Sequence, residues 1–80
     1  MEPTLLLIES EPLRAQRLRD ALSGTGFDLR LISNPEAAMA AARDIRPSRI
    51  LIDGGSREVD APAMVRRLAA AGQGAEIFVI

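Results

Sequence analysis

The sequence contains no cysteine, histidine, lysine, tryptophan or tyrosine. Without cysteine there is no disulfide staple, no thiol nucleophile and no thiolate metal site. Without histidine the commonest general base and the commonest zinc ligand are missing. Without lysine there is no Schiff-base chemistry, and two phenylalanines offer no aromatic stacking platform. All ten basic residues are arginines, and eleven acidic residues bring the net charge to −1. That balance makes no electrostatic case for a nucleic-acid or membrane surface. The segment Met1 to Ile8 lacks the basic start of a signal peptide, and no apolar run approaches the length of a bilayer span. The expectation is a cytoplasmic protein. Ser, Thr, Asp, Glu, Arg and the backbone remain available for function.

What is present is apolar material for one small domain: 48% of the 80 residues are hydrophobic. A chain of this length buries roughly 60–65% of its unfolded surface, so its core is thin. Two hydrophobic periods alternate along it. Thr4 to Ile8 is a continuous apolar run, fit for a strand buried on both faces. Glu9-Ser10-Glu11-Pro12 breaks it, with Pro12 suited to a first helical turn and Ser10 or Glu11 to its cap. Leu13, Ala15, Leu18, Ala21 and Leu22 then suggest a helix face, and Gly24 and Gly26 a stop. Phe27 to Ile32 alternates as a half-buried strand. Ser33 and Glu36 have the spacing of a capping box ahead of an alanine-rich helix that should end by Arg46, since Pro47 follows.

Arg49 to Ile52 reads as a further buried strand, closed by Asp53-Gly54-Gly55-Ser56. Pro62 opens a third helix through Met64, Val65 and Leu68, which Gly72 and Gly74 close. Ile77 to Ile80 is the last strand. The pattern is β-α-β-α-β-α-β in a single domain spanning residues 1–80. Strands alternating with helices predict an α/β fold, a parallel sheet with helices on both faces.

In such sheets ligands sit beyond the carboxyl ends of the strands, at the switch in strand order. Glu9, Ser10 and Glu11 follow the first strand, and Asp53, Gly54 and Gly55 the third. If those strands are neighbours, Glu9 and Asp53 converge. Carboxylate oxygens of this kind suit Mg²⁺, and two glycines let backbone approach a ligand. The alternative is that acids at strand ends only cap the next helix. Arg14, Arg17, Arg19, Arg66 and Arg67 have no interleaved aromatics and read as a solvated face.

At these residues a family resemblance emerges. LLLIESEP is similar to the first strand and acidic turn of response-regulator receiver domains. RILID with GGSREVDA looks like their third strand and phosphoacceptor aspartate, and SNPEAA resembles the start of their second helix. The resemblance covers all 80 residues. It implies a flavodoxin-like sheet of order 2-1-3-4, with the family's fifth strand absent. It places Asp53 on the phosphoacceptor, and it makes Glu9, Asp53 and the Gly55 carbonyl the metal ligands for Mg²⁺. Asp60 and Ala61 fall on the pair that opens the third helix.

The departures are equally specific. Ser10 stands where the family has a second acid, so Mg²⁺ binding is expected to be weak or absent. Ser56 and Arg57 replace a Met-Pro pair, and the family's phosphate-binding lysine has no counterpart. The resemblance therefore implies a signalling receiver or pseudo-receiver module, not an enzyme, acting through protein–protein contacts with phosphorylation at Asp53 in question. Its partners would be a histidine kinase or phosphotransfer protein if it is active. The apolar edge of the fourth strand would seat a second copy, giving a homo-oligomer, or a missing C-terminal segment. The alternative is a fragment of a larger transcription or antitermination regulator whose output domain lies elsewhere.

Overall fold

A computed structural model describes residues 3–55, 59–71 and 74–80. Four strands and three helices alternate: β1 (Thr4–Ile8), α1 (Pro12–Leu22), β2 (Asp28–Ile32), α2 (Pro35–Ile45), β3 (Arg49–Ile52), α3 (Ala61–Ala70) and β4 (Glu76–Val79). The strands are all parallel, in the order β2-β1-β3-β4. This is the flavodoxin-like arrangement that the resemblance implied. The order reverses after β1: the chain steps from β1 outward to β2, then back across to β3. Right-handed crossovers in opposite directions put α1 on one face and α2 with α3 on the other.

The register explains which side chains meet. Leu6 lies beside Ile50, which has Ile77 on its other side, and Ile8 lies between Ile32 and Ile52, with Val79 beyond Ile52. Leu6, Ile8, Ile50 and Ile52 are buried against Ala38 and Ala42 of α2 and against Ala61, Met64 and Leu68 of α3. Alanines at Ala38 and Ala42 let α2 lie close to the strands, as the alanine-rich run suggested. On the opposite face Leu5 and Leu7 are also buried, with Ala15 of α1. β1 is thus covered on both sides, which is why it reads as an unbroken apolar run.

Local chemistry sets the helix ends, and in three places it differs from the sequence reading. The cap of α2 is Asn34, not Ser33: its Oδ1 accepts from the amides of Glu36 and Ala37 at 2.9 and 3.1 Å. Pro35 at the first helical position moves the start one residue on. Helix α1 begins after Glu11, whose side chain makes no capping bond. Leu13 is 75% exposed, and Ala21 is exposed as well. Ala15, Leu18 and Leu22 are spaced three and four apart and share the inner face, while Leu13 lies about 200° round from Ala15.

Helix α2 ends where expected, with Arg46 at φ 52° in the left-handed region and Pro47 next. Asp60 caps α3 by accepting from the Ala63 amide at 3.2 Å. Ser56, Arg57 and Gly72 lie outside the described residues. Arg67 of α3 donates two bonds to Glu36 of α2, at 2.8 and 3.1 Å. That pair holds the Glu36 carboxyl below its ordinary range through the hydrogen bond and charge of Arg67. Both groups are solvent-exposed, so salt screens the pair and its contribution to stability is small.

Candidate functional site

The two central strands place the site. Ile8 and Ile52 are partners in register, so the next residue of each strand, Glu9 and Asp53, emerges at the same level. Backbone bonds continue the ladder past the strand ends. The Glu9 amide donates to the Ile32 carbonyl and the Asp53 amide to the Ile8 carbonyl, both at 3.2 Å. Strand alternation carries both side chains toward the α1 face. The pairing of Glu9 with Asp53 expected from sequence is therefore built by the sheet itself.

Both carboxyls are buried, Glu9 at 1% and Asp53 at 7% exposure. Glu9 Oε1 accepts from the Glu11 amide at 2.8 Å, which ties the β1–α1 turn. Glu9 Oε2 is fully buried and has no hydrogen-bond donor among the described residues. Asp53 Oδ1 accepts from the Gly55 amide at 2.8 Å. Asp53 Oδ2 accepts from Arg14 Nη1 at 3.3 Å.

The electrostatics follow from this geometry. Burial pushes the Glu9 carboxyl above its ordinary range, and the neighbouring Asp53 carboxyl pushes it further. Asp53 is held below its ordinary range, first by hydrogen bonding with Glu9 and then by the Gly55 amide and the Arg14 guanidinium. Two carboxylates have no proton between them to share, so this pair prefers one proton, and that proton belongs on Glu9. Protonated Glu9 gives its otherwise unpartnered oxygen a use, as donor toward Asp53.

Arg14 corrects the sequence reading, which placed it on a solvated face. Its side chain is half-exposed, yet its tip reaches the acidic pocket. Pro12 opens α1, so Arg14 falls in the first turn, directly over the strand ends. Gly55 accommodates it. A Cβ on Gly55 would lie 2.9 Å from Arg14 Nη1 and 3.3 Å from Asp53 Oδ1. Ser10 is half-buried beside Glu9. Among the described residues, no three acidic, histidine or cysteine side chains come together as a metal-holding group. The hard-oxygen donors at hand for a divalent cation are the Glu9 and Asp53 carboxylates, with backbone oxygen beside them. The guanidinium already stands against one of them.

Gly54 ties the pocket to the sheet edge. Its amide donates to the Ile80 carbonyl at 2.7 Å, and a Cβ there would lie 3.0 Å from Val79 Cγ1 and 3.1 Å from that carbonyl. Gly54→Ala is expected to cost about 1–3 kcal/mol through overpacking and a strained hydrogen bond. Urea unfolding should show the loss, and the amide at position 54, which donates to the Ile80 carbonyl, should exchange faster with solvent.

Comparison with known proteins gives a consistent set of relatives. No family model matches the chain. The DNA-binding response regulator MtrA of Mycolicibacterium smegmatis is 34% identical over 53 residues, which is 66% of this chain and 23% of that protein. The signal receiver domain of a modulated diguanylate cyclase from Desulfovibrio desulfuricans superposes with a TM-score of 0.81 at 32% identity. That superposition covers 99% of this chain and 64% of the other. The pseudo-receiver domain of the CikA protein superposes with a TM-score of 0.80 at 16% identity, covering 96% and 67% of the two chains, and so shares the fold. The chain spans under a quarter of the length of the curated regulator that it matches. Its structural neighbours are response-regulator receiver and pseudo-receiver domains, and it shares their fold.

Proposed function

We propose that this receiver-like domain is a pseudo-receiver-type module of two-component signalling, working through protein–protein contacts rather than through a phosphorylation cycle. The observation that carries the reading is the engagement of Asp53. Gly55 donates to one of its oxygens and Arg14 to the other, and Glu9 shares the pocket. A phosphoacceptor needs a free carboxylate oxygen to attack phosphorus, and a cation beside it to neutralise the incoming charge. Here each carboxylate oxygen already accepts one hydrogen bond, and the cation beside it is a side chain. Ser10 in the acidic turn supports the same reading.

A second reading keeps Asp53 as phosphoacceptor, with a histidine kinase or phosphotransfer protein as donor. It is favoured by one feature: the Arg14 side chain is half-exposed and can leave the carboxylate without unfolding anything. In either reading the domain is regulatory and not an enzyme. Transcription control belongs to the proposal only by way of the relative MtrA, whose description names DNA binding. Among the described residues no helix is long and apolar enough to cross a membrane.

The contact surface proposed is the outer edge of β4. It pairs with β3 on one side, and Phe78, Val79 and Ile80 are exposed. An apolar edge strand with unpaired backbone groups is a template for another chain. Static light scattering over a concentration series is expected to show the chain associating with itself. Asp53→Asn is expected to associate equally, because contact does not wait on phosphate. A monomer throughout the series would contradict the surface, and association lost in Asp53→Asn would contradict the phosphate-independent reading.

A further inference from the structure

We propose that Arg14 is the resident cation of the acidic pocket: it competes with a divalent metal ion for Asp53, and the pocket accepts such an ion only when Arg14 is displaced. The inference rests on Glu9 and Asp53 forming the domain's acidic pocket and goes beyond the signalling reading.

Three observations carry it. Arg14 Nη1 lies 3.3 Å from Asp53 Oδ2, a contact that leaves this oxygen shielded from another cation. Gly55 is the residue whose missing side chain leaves room for the guanidinium, since a Cβ would meet Nη1 at 2.9 Å. Glu9 Oε2 is buried with no donor among the described residues, so the pocket holds a hard oxygen that Arg14 does not serve. A small dication would displace the proton on Glu9 and be held by both carboxylates, and a guanidinium beside Asp53 repels that ion. The chain has thus replaced a dissociable metal by a tethered one-charge substitute. The tether is flexible because the side chain is half-exposed.

The test is an NMR titration of the chain with magnesium chloride and no phosphodonor, following the Glu11, Asp53 and Gly55 amides. The parent is compared with Arg14→Ala and Arg14→Lys. Alanine is the strongest helix former and position 14 is on the exposed side of α1, so the variant keeps its fold, as circular dichroism will verify. Arg14→Ala is expected to bind Mg²⁺ roughly tenfold more tightly than the parent, the effect of removing one charge a few ångström from a dication near the solvent boundary. Arg14→Lys is expected to stay close to the parent. The proposal is overturned if Arg14→Ala binds no more tightly, which includes saturable binding in neither protein. It is overturned equally if Arg14→Lys gains as much as Arg14→Ala, since charge would then not be what excludes the ion. Phosphoryl uptake is not read in this titration, so its failure leaves the pseudo-receiver reading standing.

Discussion

Leu6→Ala is expected to remove about 3 kcal/mol of folding stability, within the 2–5 kcal/mol range for emptying a buried leucine site. Leu6 lies on the central strand β1, fully buried between Ile50 of β3 and the helices of the larger core. Backbone pairing on both sides of β1 keeps the sheet from collapsing into the void, so the cavity term is retained in full. For a domain of this length the total stability is on the order of 4–12 kcal/mol, and one such change removes a large share of it. The urea midpoint should fall sharply with little change in slope. Leu13→Ala is the matched control. Leu13 is 75% exposed, so its loss is expected to shift stability by under about 0.5 kcal/mol. Equal losses at the two positions would mean that α1 faces the sheet with the wrong side.

Glu9→Gln is expected to make the protein more stable near neutral pH, by about 1–2 kcal/mol. The parent buries a carboxyl with one oxygen that lacks a donor among the described residues, next to a second carboxylate. The glutamine amide keeps the acceptor for the Glu11 amide and presents N–H groups to Asp53. The sign of the pH dependence follows from the two shifts. Glu9 is raised from 4.5, so the folded chain holds its proton more tightly than the unfolded chain. Its contribution is complete below 4.5 and drains away as pH rises through the raised folded value. Asp53 is lowered from 3.8, so its contribution is present above 3.8 and is lost as pH falls through the lowered folded value. The parent should therefore be most stable in mild acid and weaken toward neutrality. Glu9→Gln should abolish that weakening while keeping the acid-side loss. Urea midpoints across about pH 4 to 8, with chelator present, check this. A variant less stable than the parent at neutral pH would contradict the shared-proton account.

The strands were legible because β1, β3 and β4 centre on short apolar runs and β2 alternates, and the alternation with helices left few topologies. The family resemblance made β1 and β3 neighbours, and acids at the ends of neighbouring parallel strands meet, so Glu9 and Asp53 were found. Arg14 was not. In a run that also holds Arg17 and Arg19, one arginine whose tip turns inward looks like its solvated neighbours. The available signal was positional: Pro12 fixes the first turn of α1, and only Arg14 of the three lies in it. Leu13 misled for the opposite reason, because its apolar character said buried while its angle on the helix said exposed. The cap of α2 was misplaced by one residue, since Ser33 and Asn34 are both good caps and the proline after Asn34 decides between them.

The central claim is that Asp53 is engaged within its own pocket and is not a working phosphoacceptor. Incubation with a small acyl phosphate and Mg²⁺, followed by intact mass measurement, tests it most directly. The parent is predicted to show no stoichiometric gain of a phosphoryl group and to match Asp53→Asn. A gain of one phosphoryl group per chain in the parent, absent in Asp53→Asn, would contradict it.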